Sequence, residues 1–519
     1  MPPAPLHEIL RSYCLIFLSV LALPVSLFLV CFASILRRLV PKPSFRRKCQ
    51  NEPSFQERTV LVTGIGMTKG LTLARAFHQC GHHVIGADFE TSRLQSPGRV
   101  SNACAKFYRL DIPVNGQRYT EQLLQVVKKE HVHLWVSCSG VATALDDGRA
   151  QEAIRNLTDC CCIQFNAEIT ALLHDKATFL HYTQELGLPV PRTYNLTSTA
   201  AACKVLEDLE ERSKQKKQVA AQRFILKPVG VDDANRGNMT LLPLSTPIET
   251  VAYVKRFPIT KDNAWILQQY IPGEQEYCTH ALIVSGEVKV FVACPSSELL
   301  MHYKALAPSD PLCCKMLDFT RKFAARCKEE FGSFTGHLSF DFMVEDHWTG
   351  NWFEKKLYAI ECNPRAHTAV VLFAQEGPEM QDMVQAYLSV LGNSISAGSW
   401  PGESSMRKSK ITEACLEDVI VPPLDTRPRY WIGHDMTVFL LLPFLEFLRF
   451  RLSLDELLKS VRTFAKHLYC WNEGAFTAWD PWPFVKLYHD YWPRAILFAA
   501  WEKRRWSRVN VSTTKMFAI

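Results

Sequence analysis

The chain runs without a charge from Arg11 to Arg37, 25 residues that include LIFLSVLALPVSLFLVCFASIL. At about 1.5 Å per residue, such a stretch in helical form spans a hydrocarbon core of roughly 30 Å with margin. A cleavable leader has a shorter apolar run and a small-residue cleavage site, so the pattern predicts a retained anchor. Pro24 leaves open a kink or a re-entrant hairpin. After a polar linker (residues 41–57), Thr59–Thr63 reads as a buried strand. A glycine turn, a helix to about Gln79 and a second strand at His83–Ala87 follow, which together make a βαβ unit. Leu134–Cys138 reads as a later strand of the same sheet. From Lys176 onward the texture changes to α+β, with single polar residues set among apolar strands at Phe224–Lys227, Trp265–Tyr270, Leu338–Val344 and Leu357–Asn363. Residues 391–425, rich in Ser, Gly, Pro and charge, read as a linker. Beyond them Met436–Leu445 is apolar but too short to span a membrane. An aromatic segment (Trp471, Trp479, Trp482, Tyr488, Tyr491, Trp492, Trp506) with Lys503, Arg504 and Arg505 fits either a membrane-interfacial patch or a packed cap.

Composition changes this picture in three places. With 519 residues, 47% of them apolar and 21% charged, the chain is long enough for several domains and cannot be disordered. The net charge is +7, and the first 50 residues carry seven Lys/Arg against Glu8 alone, so +6 of it lies there. That flank (Arg37, Arg38, Lys42, Arg46, Arg47, Lys48) predicts a cytosolic body by the positive-inside rule, and the near-neutral remainder excludes a nucleic-acid binder. The 18 cysteines include no CxxC, which removes zinc ribbons and thioredoxin-type sites and predicts free core thiols in a reducing compartment. Sequons occur at Asn156, Asn195, Asn238 and Asn510. A glycan at Asn238 would obstruct the loop described next, a further argument for the cytosol.

Two constellations carry candidate chemistry. Gly64, Gly66 and Gly70 at the strand-to-helix turn, with Asp88 closing the next strand, admit dinucleotide binding and hence an NAD(P)-dependent oxidoreductase. The spacing is GxGxxxG, however, and no tyrosine has a lysine four residues on. The second constellation is an ordered series. Lys227 ends a strand and is followed by a loop with Gly230 and Gly237, which suits the covering of phosphates. Glu274 and Glu276 follow Pro272-Gly273. Asp341 lies on a strand, and Glu361 and Asn363, two apart on another, share a face with Cys362 turned away. Three hard oxygen donors on neighbouring strands suit Mg²⁺. Singly, each has an ordinary structural reading; the order makes the case.

The series Lys176, Lys227 with its loop, QQYIPGEQEY, Asp341 and AIECNPR resembles the ATP-grasp superfamily, in particular its carbamoyl-phosphate-synthetase-like carboxylate–amine ligases. The resemblance covers roughly residues 58 to 390. The stretches YWIGHD, WDPWPF and NVSTTKMF are similar to the C-terminal extension of fungal, N-terminally anchored ATP-grasp enzymes of secondary metabolism. It implies an anchor with a basic flank (1–50), a Rossmann-like pre-ATP-grasp domain (58–170), a two-lobed ATP-grasp domain (171–390), a linker (391–425) and a helical aromatic extension (426–519). It further implies that Lys176 and Lys227 contact ATP phosphates, that the backbone of Gln269, Tyr270 and Ile271 pairs with adenine, and that Glu276 rather than Glu274 meets the ribose. Asp341, Glu361 and Asn363 would hold Mg²⁺ (or Mn²⁺), and Arg365 would steady an acyl phosphate formed from a small acid before an amine displaces phosphate. His337 and His367 flank the metal motifs and are expected to meet substrate, or otherwise to be structural. The expected partners are the small-molecule acid and amine and, through the N-terminal helix, the membrane, with pathway enzymes as a further possibility.

Overall fold

The computed structural model describes residues 6–39, 44–112, 116–138, 140–215, 222–229, 239–273, 275–296, 301–348, 353–392 and 418–518. The phosphate-loop glycines, Asn238, Glu274 and most of the expected linker lie outside the described residues. Leu6–Leu39 is one continuous helix with Pro24 inside it. Its stretch Leu10–Leu36 is long and apolar enough to cross a membrane, and only 11% of its most apolar window is buried. One flank of the helix is held by the far end of the chain. The Arg11 guanidinium lies 3.8 Å over the Trp506 ring and donates to the Trp506 carbonyl at 2.5 Å. Ser19 Oγ donates to the Tyr488 carbonyl at 2.7 Å, and a His489 ring nitrogen lies 2.8 Å from Ser26 Oγ.

The chain divides into two compact units, both discontinuous in sequence: residues 1–170, 278–339 and 364–516, and residues 171–277, 340–363 and 517–519. In the first, β1 (Thr59–Thr63), β2 (His83–Phe89), β3 (Lys106–Leu110), β4 (Leu134–Val136) and β5 (Cys161–Ile163) form a parallel sheet in the order β3-β2-β1-β4-β5. Alternate side chains serve opposite faces. Val60, Val62, Leu134 and Val136 pack with Leu73 and Phe77 of the helix Thr68–Gln79. Leu61, Ile85 and Trp135 pack with Tyr119, Leu123 and Ile154 of the helices Gly116–Lys129 and Ala144–Leu157. A parallel sheet buried on both faces explains the unbroken apolar runs of its strands.

In the second unit β6 (Thr193–Leu196), β7 (Phe224–Pro228) and β8 (Trp265–Gln269) form an antiparallel sheet in the order β6-β8-β7. Leu196, Phe224, Leu226, Trp265 and Leu267 pack with Ala202, Leu206 and Val254 of two helices, Thr199–Gln215 and Pro247–Val254. Further along the chain come β9 (Glu276–Val284), β10 (Glu287–Ser296), β11 (His302–Tyr303), β12 (Gly336–Trp348) and β13 (Phe353–Asn363). Four of them line up as β10-β9-β12-β13. The division between the units falls within β9 and β12, after Tyr277 and Ser339.

The C-terminal region belongs to the first unit and shares its core. Trp431, Phe484, Leu487 and Trp492 pack in the same cluster as Leu73 and Val84. The fully buried Asp480, from the WDPWPF stretch, accepts from Arg75 Nε at 2.8 Å, Ser101 Oγ at 2.6 Å and the Asn102 backbone at 2.7 Å. Arg75 donates its remaining groups to the carbonyls of Ala475 and Asp480. β14 (Arg429–Tyr430) joins β11 to β15 (Asn472–Glu473), and a hairpin of β16 (Trp506–Asn510) and β17 (Lys515–Ala518) ends the chain. Among the described residues every cysteine is free. The sequon at Asn510 is buried, and its side-chain oxygen accepts from Ser512 Oγ and the Thr513 backbone.

Candidate active site

In the second unit, β12 and β13 carry the three oxygen donors. Consecutive strands so closely connected run antiparallel, which sets Asn363 beside Asp341: Asn363 Nδ2 donates to Asp341 Oδ2 at 3.1 Å. Glu361 lies two residues earlier on β13 and is half-buried, whereas the intervening Cys362 and Asn363 are both buried. Two carboxylates and an amide oxygen on adjacent strands are a donor set that fits Mg²⁺. Lys227 sits near the end of β7 opposite Ile266 of β8, half-buried. Lys176 is the first residue of the helix Lys176–Glu185, whose preceding Asp175 caps it by accepting from the Thr178 backbone.

The segment expected to meet adenine, Gln269 to Ile271, begins at the last residue of β8. The Gln269 backbone N–H donates to the Arg192 carbonyl at 2.7 Å and that of Tyr270 to the Arg223 carbonyl at 2.8 Å. Those two donors are committed to backbone carbonyls. Ile271 is itself buried, and Glu276 begins β9.

The first unit contains a cluster that sequence reasoning missed. Lys69, in the first turn of the helix Thr68–Gln79, is 3% exposed and donates through Nζ to the Ala366 carbonyl at 3.0 Å. Burial, with the Arg365 guanidinium next in effect, lowers its pKa to about 7. His280, on β9, is fully buried; its Nδ1 accepts from the His367 backbone at 3.3 Å, which leaves the proton on Nε2, and that atom has no hydrogen-bond partner among the described residues. Its ring lies 5.3 Å from that of His337. Burial holds His280 and His367 at pKa values of about 3 and pushes His337 well below the usual range. His337 is 2% exposed and pairs with the Tyr387 hydroxyl at 2.8 Å. His337 is thus enclosed, with its Nε2 on the Tyr387 hydroxyl. His367 caps the turn Thr368–Phe373 through Nδ1 and meets the Tyr303 ring edge-on at 5.8 Å. The Arg365 carbonyl accepts from Ser339 Oγ. The available signal was one lysine beside Gly70 in a helix start that is otherwise apolar or small.

The dinucleotide expectation fails on the same turn. Asp88 is turned inward: Oδ2 accepts from the Gly66 backbone at 2.5 Å and from Ser96 Oγ at 2.9 Å, and Oδ1 accepts from the Phe89 backbone. Burial raises its pKa to about 6. A ribose hydroxyl would have to displace these partners. At the helix N-terminus, where a pyrophosphate would sit, the Thr68 N–H already donates to the Ser512 carbonyl at 2.8 Å. The glycines serve packing instead. Gly64 has φ +70°, and a Cβ there would meet the Cys138 carbonyl at 2.6 Å; at Gly70 it would meet the Gly64 carbonyl at 2.3 Å. The turn is a closed structural joint, and the oxidoreductase alternative loses its site.

No protein-family model matches the sequence, and no curated protein does. Among solved structures, an L-amino acid ligase from Bacillus licheniformis is similar at 12% identity over 61% of this chain and 69% of that one, with a TM-score of 0.39. N5-carboxyaminoimidazole ribonucleotide synthetase from Thermus thermophilus is similar at 17% identity over 62% and 76%, TM-score 0.41. Carboxyaminoimidazole ribonucleotide synthase from Aspergillus clavatus, complexed with ATP, is similar at 13% identity over 72% and 80%, TM-score 0.44. At these values the likeness carries no weight for activity, which is argued below from the residues themselves.

Proposed function

We propose that the chain is an ATP- and Mg²⁺-dependent ligase that joins a small carboxylic or enol-type acid to an amine, such as an amino acid, in secondary metabolism. The observation that carries this reading is the meeting of Asp341 with Asn363 on neighbouring strands, Glu361 beside them, in a chain whose preceding segments bring Lys227, Ile271 and Glu276 in the order that the sequence resemblance implies. Mg²⁺ or Mn²⁺, held by Asp341, Glu361 and Asn363, would supply charge neutralisation at the β- and γ-phosphates. Lys176 and Lys227 bind phosphate oxygens as point charges, and Glu276 accepts from the ribose. An oxygen of the acid takes the γ-phosphoryl group while ADP leaves. The amine nitrogen then attacks the acyl carbon, phosphate leaves with that oxygen, and the nitrogen gives up a proton. No nucleophilic side chain is required, because the barrier is lowered by cations and dipoles aimed at transferring charge.

Arg365 follows Asn363 by two residues, and its planar fork matches an acyl phosphate. With Lys69 it gives the first unit two cationic groups suited to an anionic acid. Mixing candidate acid, amine and Mg-ATP with the protein should yield ADP and phosphate in step with product; AMP and pyrophosphate would exclude the acyl-phosphate route. Lys69 titrates near pH 7 and holds an anion only while protonated. KM for the acid should therefore climb as pH rises through about 7, and Lys69→Met should flatten that climb at a uniformly weaker KM. A wild-type KM constant across neutral pH would remove Lys69 from acid binding.

The helix Leu6–Leu39 anchors this enzyme in a membrane with the body in the cytosol. Support comes from its exposed apolar side chains, including Phe17, Val20, Leu21, Phe28 and Phe32, and from the basic residues that follow it. Phe450 (98% exposed), Leu454 and Tyr469 are exposed as well, in the C-terminal region. The full-length protein should remain in the membrane pellet after an alkaline carbonate wash. Quantitative release would mean that the helix packs on protein rather than spanning lipid.

A further inference from the structure

We propose that His302, Asp435 and His467 form a binding site for one divalent first-row transition-metal ion, separate from the oxygen-donor set of β12 and β13. The three residues come from β11, from the end of the short helix Ile432–Asp435 and from the helix Leu454–Cys470, segments more than 130 residues apart in the case of His302 and Asp435. Their donor atoms converge. His302 Nε2 lies 2.7 Å from Asp435 Oδ1, His467 Nδ1 lies 2.6 Å from Asp435 Oδ2, and the ligand atoms all fall within 4.8 Å of one another. Metal–nitrogen and metal–oxygen bonds of about 2.0–2.2 Å place the ligands of one ion at about 3 Å from each other, so a small inward or outward adjustment of the side chains suffices. The Asp435 carboxylate is wholly buried, and the two histidine side chains are 16% and 10% exposed.

The surroundings favour an ion over a plain hydrogen-bonded clamp. Trp471 packs on the His467 ring at 4.3 Å and edge-on to His302 at 5.5 Å, and Phe439 closes on both rings, so that the carboxylate is walled from bulk water. Immediately after Asp435 the backbone widens into a π-helical turn, Met436–Leu441, a local departure that recurs at functional sites. Two imidazoles and one carboxylate are a mixed nitrogen–oxygen set, which selects Zn²⁺, Fe²⁺, Co²⁺ or Mn²⁺ over Mg²⁺ and Ca²⁺ and leaves at least one coordination position for water. The ion would tie β11 to the C-terminal helices. Tyr303, next to His302, carries that constraint onward through its ring contacts with Trp431 at 5.7 Å and His367 at 5.8 Å.

Full-length protein in detergent, freed of any affinity tag and stripped with chelator, should be titrated with Co²⁺ in the absence of nucleotide. One equivalent should bind with visible ligand-field absorption and without the thiolate charge-transfer bands that cysteine ligation would bring. Glu361→Ala should give the same spectrum, which separates this site from the nucleotide metal. Asp435→Asn and His467→Gln should each weaken Co²⁺ by at least about a hundredfold, beyond the effect usual for outer-shell partners. Circular dichroism confirms that each variant folds. The wild-type titration stands independently of the variants. Folded wild-type protein without ligand-field bands at millimolar Co²⁺, bands of thiolate character, or bands that survive His467→Gln would each overturn the site and leave a hydrogen-bonded triad only.

Discussion

Glu361→Ala should lower turnover by at least about a hundredfold, the scale of losing a principal electrostatic stabiliser of transferring charge. Glu361 shares a strand face with Asn363, which reaches Asp341 at 3.1 Å. Removing its carboxylate leaves the phosphates under-neutralised with two oxygen donors instead of three. Asn363→Asp keeps an oxygen and adds charge, so it should cost less and alter the preference between Mg²⁺ and Mn²⁺. Folding should survive Glu361→Ala, because Glu361 is only half-buried; Asn363→Asp replaces the N–H that Asp341 accepts by a second carboxylate, so its melting temperature should fall without Mg²⁺ and recover with it. Turnover against Mg²⁺ concentration, with thermal melts alongside, reads the result. Near-normal activity of Glu361→Ala at saturating Mg²⁺ would mean that the active site lies elsewhere.

The largest expected loss of stability is at Asp480→Ala, about 3–5 kcal/mol, the usual cost of removing one partner from a buried ion pair. The carboxylate is 0% exposed and accepts from Arg75, Ser101 and Asn102 at once. Alanine would leave the guanidinium, itself 10% exposed, buried without its counter-charge. Asp480→Asn retains one acceptor oxygen and should fall between. Urea unfolding followed through the tryptophans of the first unit measures it, and a midpoint indistinguishable from wild type would show that water or a rearranged loop takes the carboxylate's place.

The parts legible in the sequence were those whose signal is local. The apolar run from Leu10 to Leu36, the parallel strands at Thr59 and His83, and the alternation that turns Glu361 and Asn363 to one side each follow from the period of a single element. Other positions have a different character. Asp88 ends a strand as a ribose-binding acid would, yet its oxygens are taken by Gly66 and Ser96. His337 flanks the metal motif and is closed in by Tyr387. In both cases the residue type suits a ligand, and another protein group shares the side chain's atoms.

By itself the sequence determined the apolar N-terminal helix, the α/β character of the first soluble part, the order of the candidate ligand residues and the shared face of Glu361 and Asn363, because these depend on spacing within one helix or strand. Only the tertiary structure decided that Lys69 is buried beside Ala366, that Ser512 closes the helix at Thr68, that Asp480 reaches Arg75 across 405 positions, and that His302 and His467 converge on Asp435. The physical reason is desolvation. Whether a polar side chain is a ligand, a cap or half of an ion pair depends on which groups share its dry environment, and that is set by chain segments hundreds of residues away.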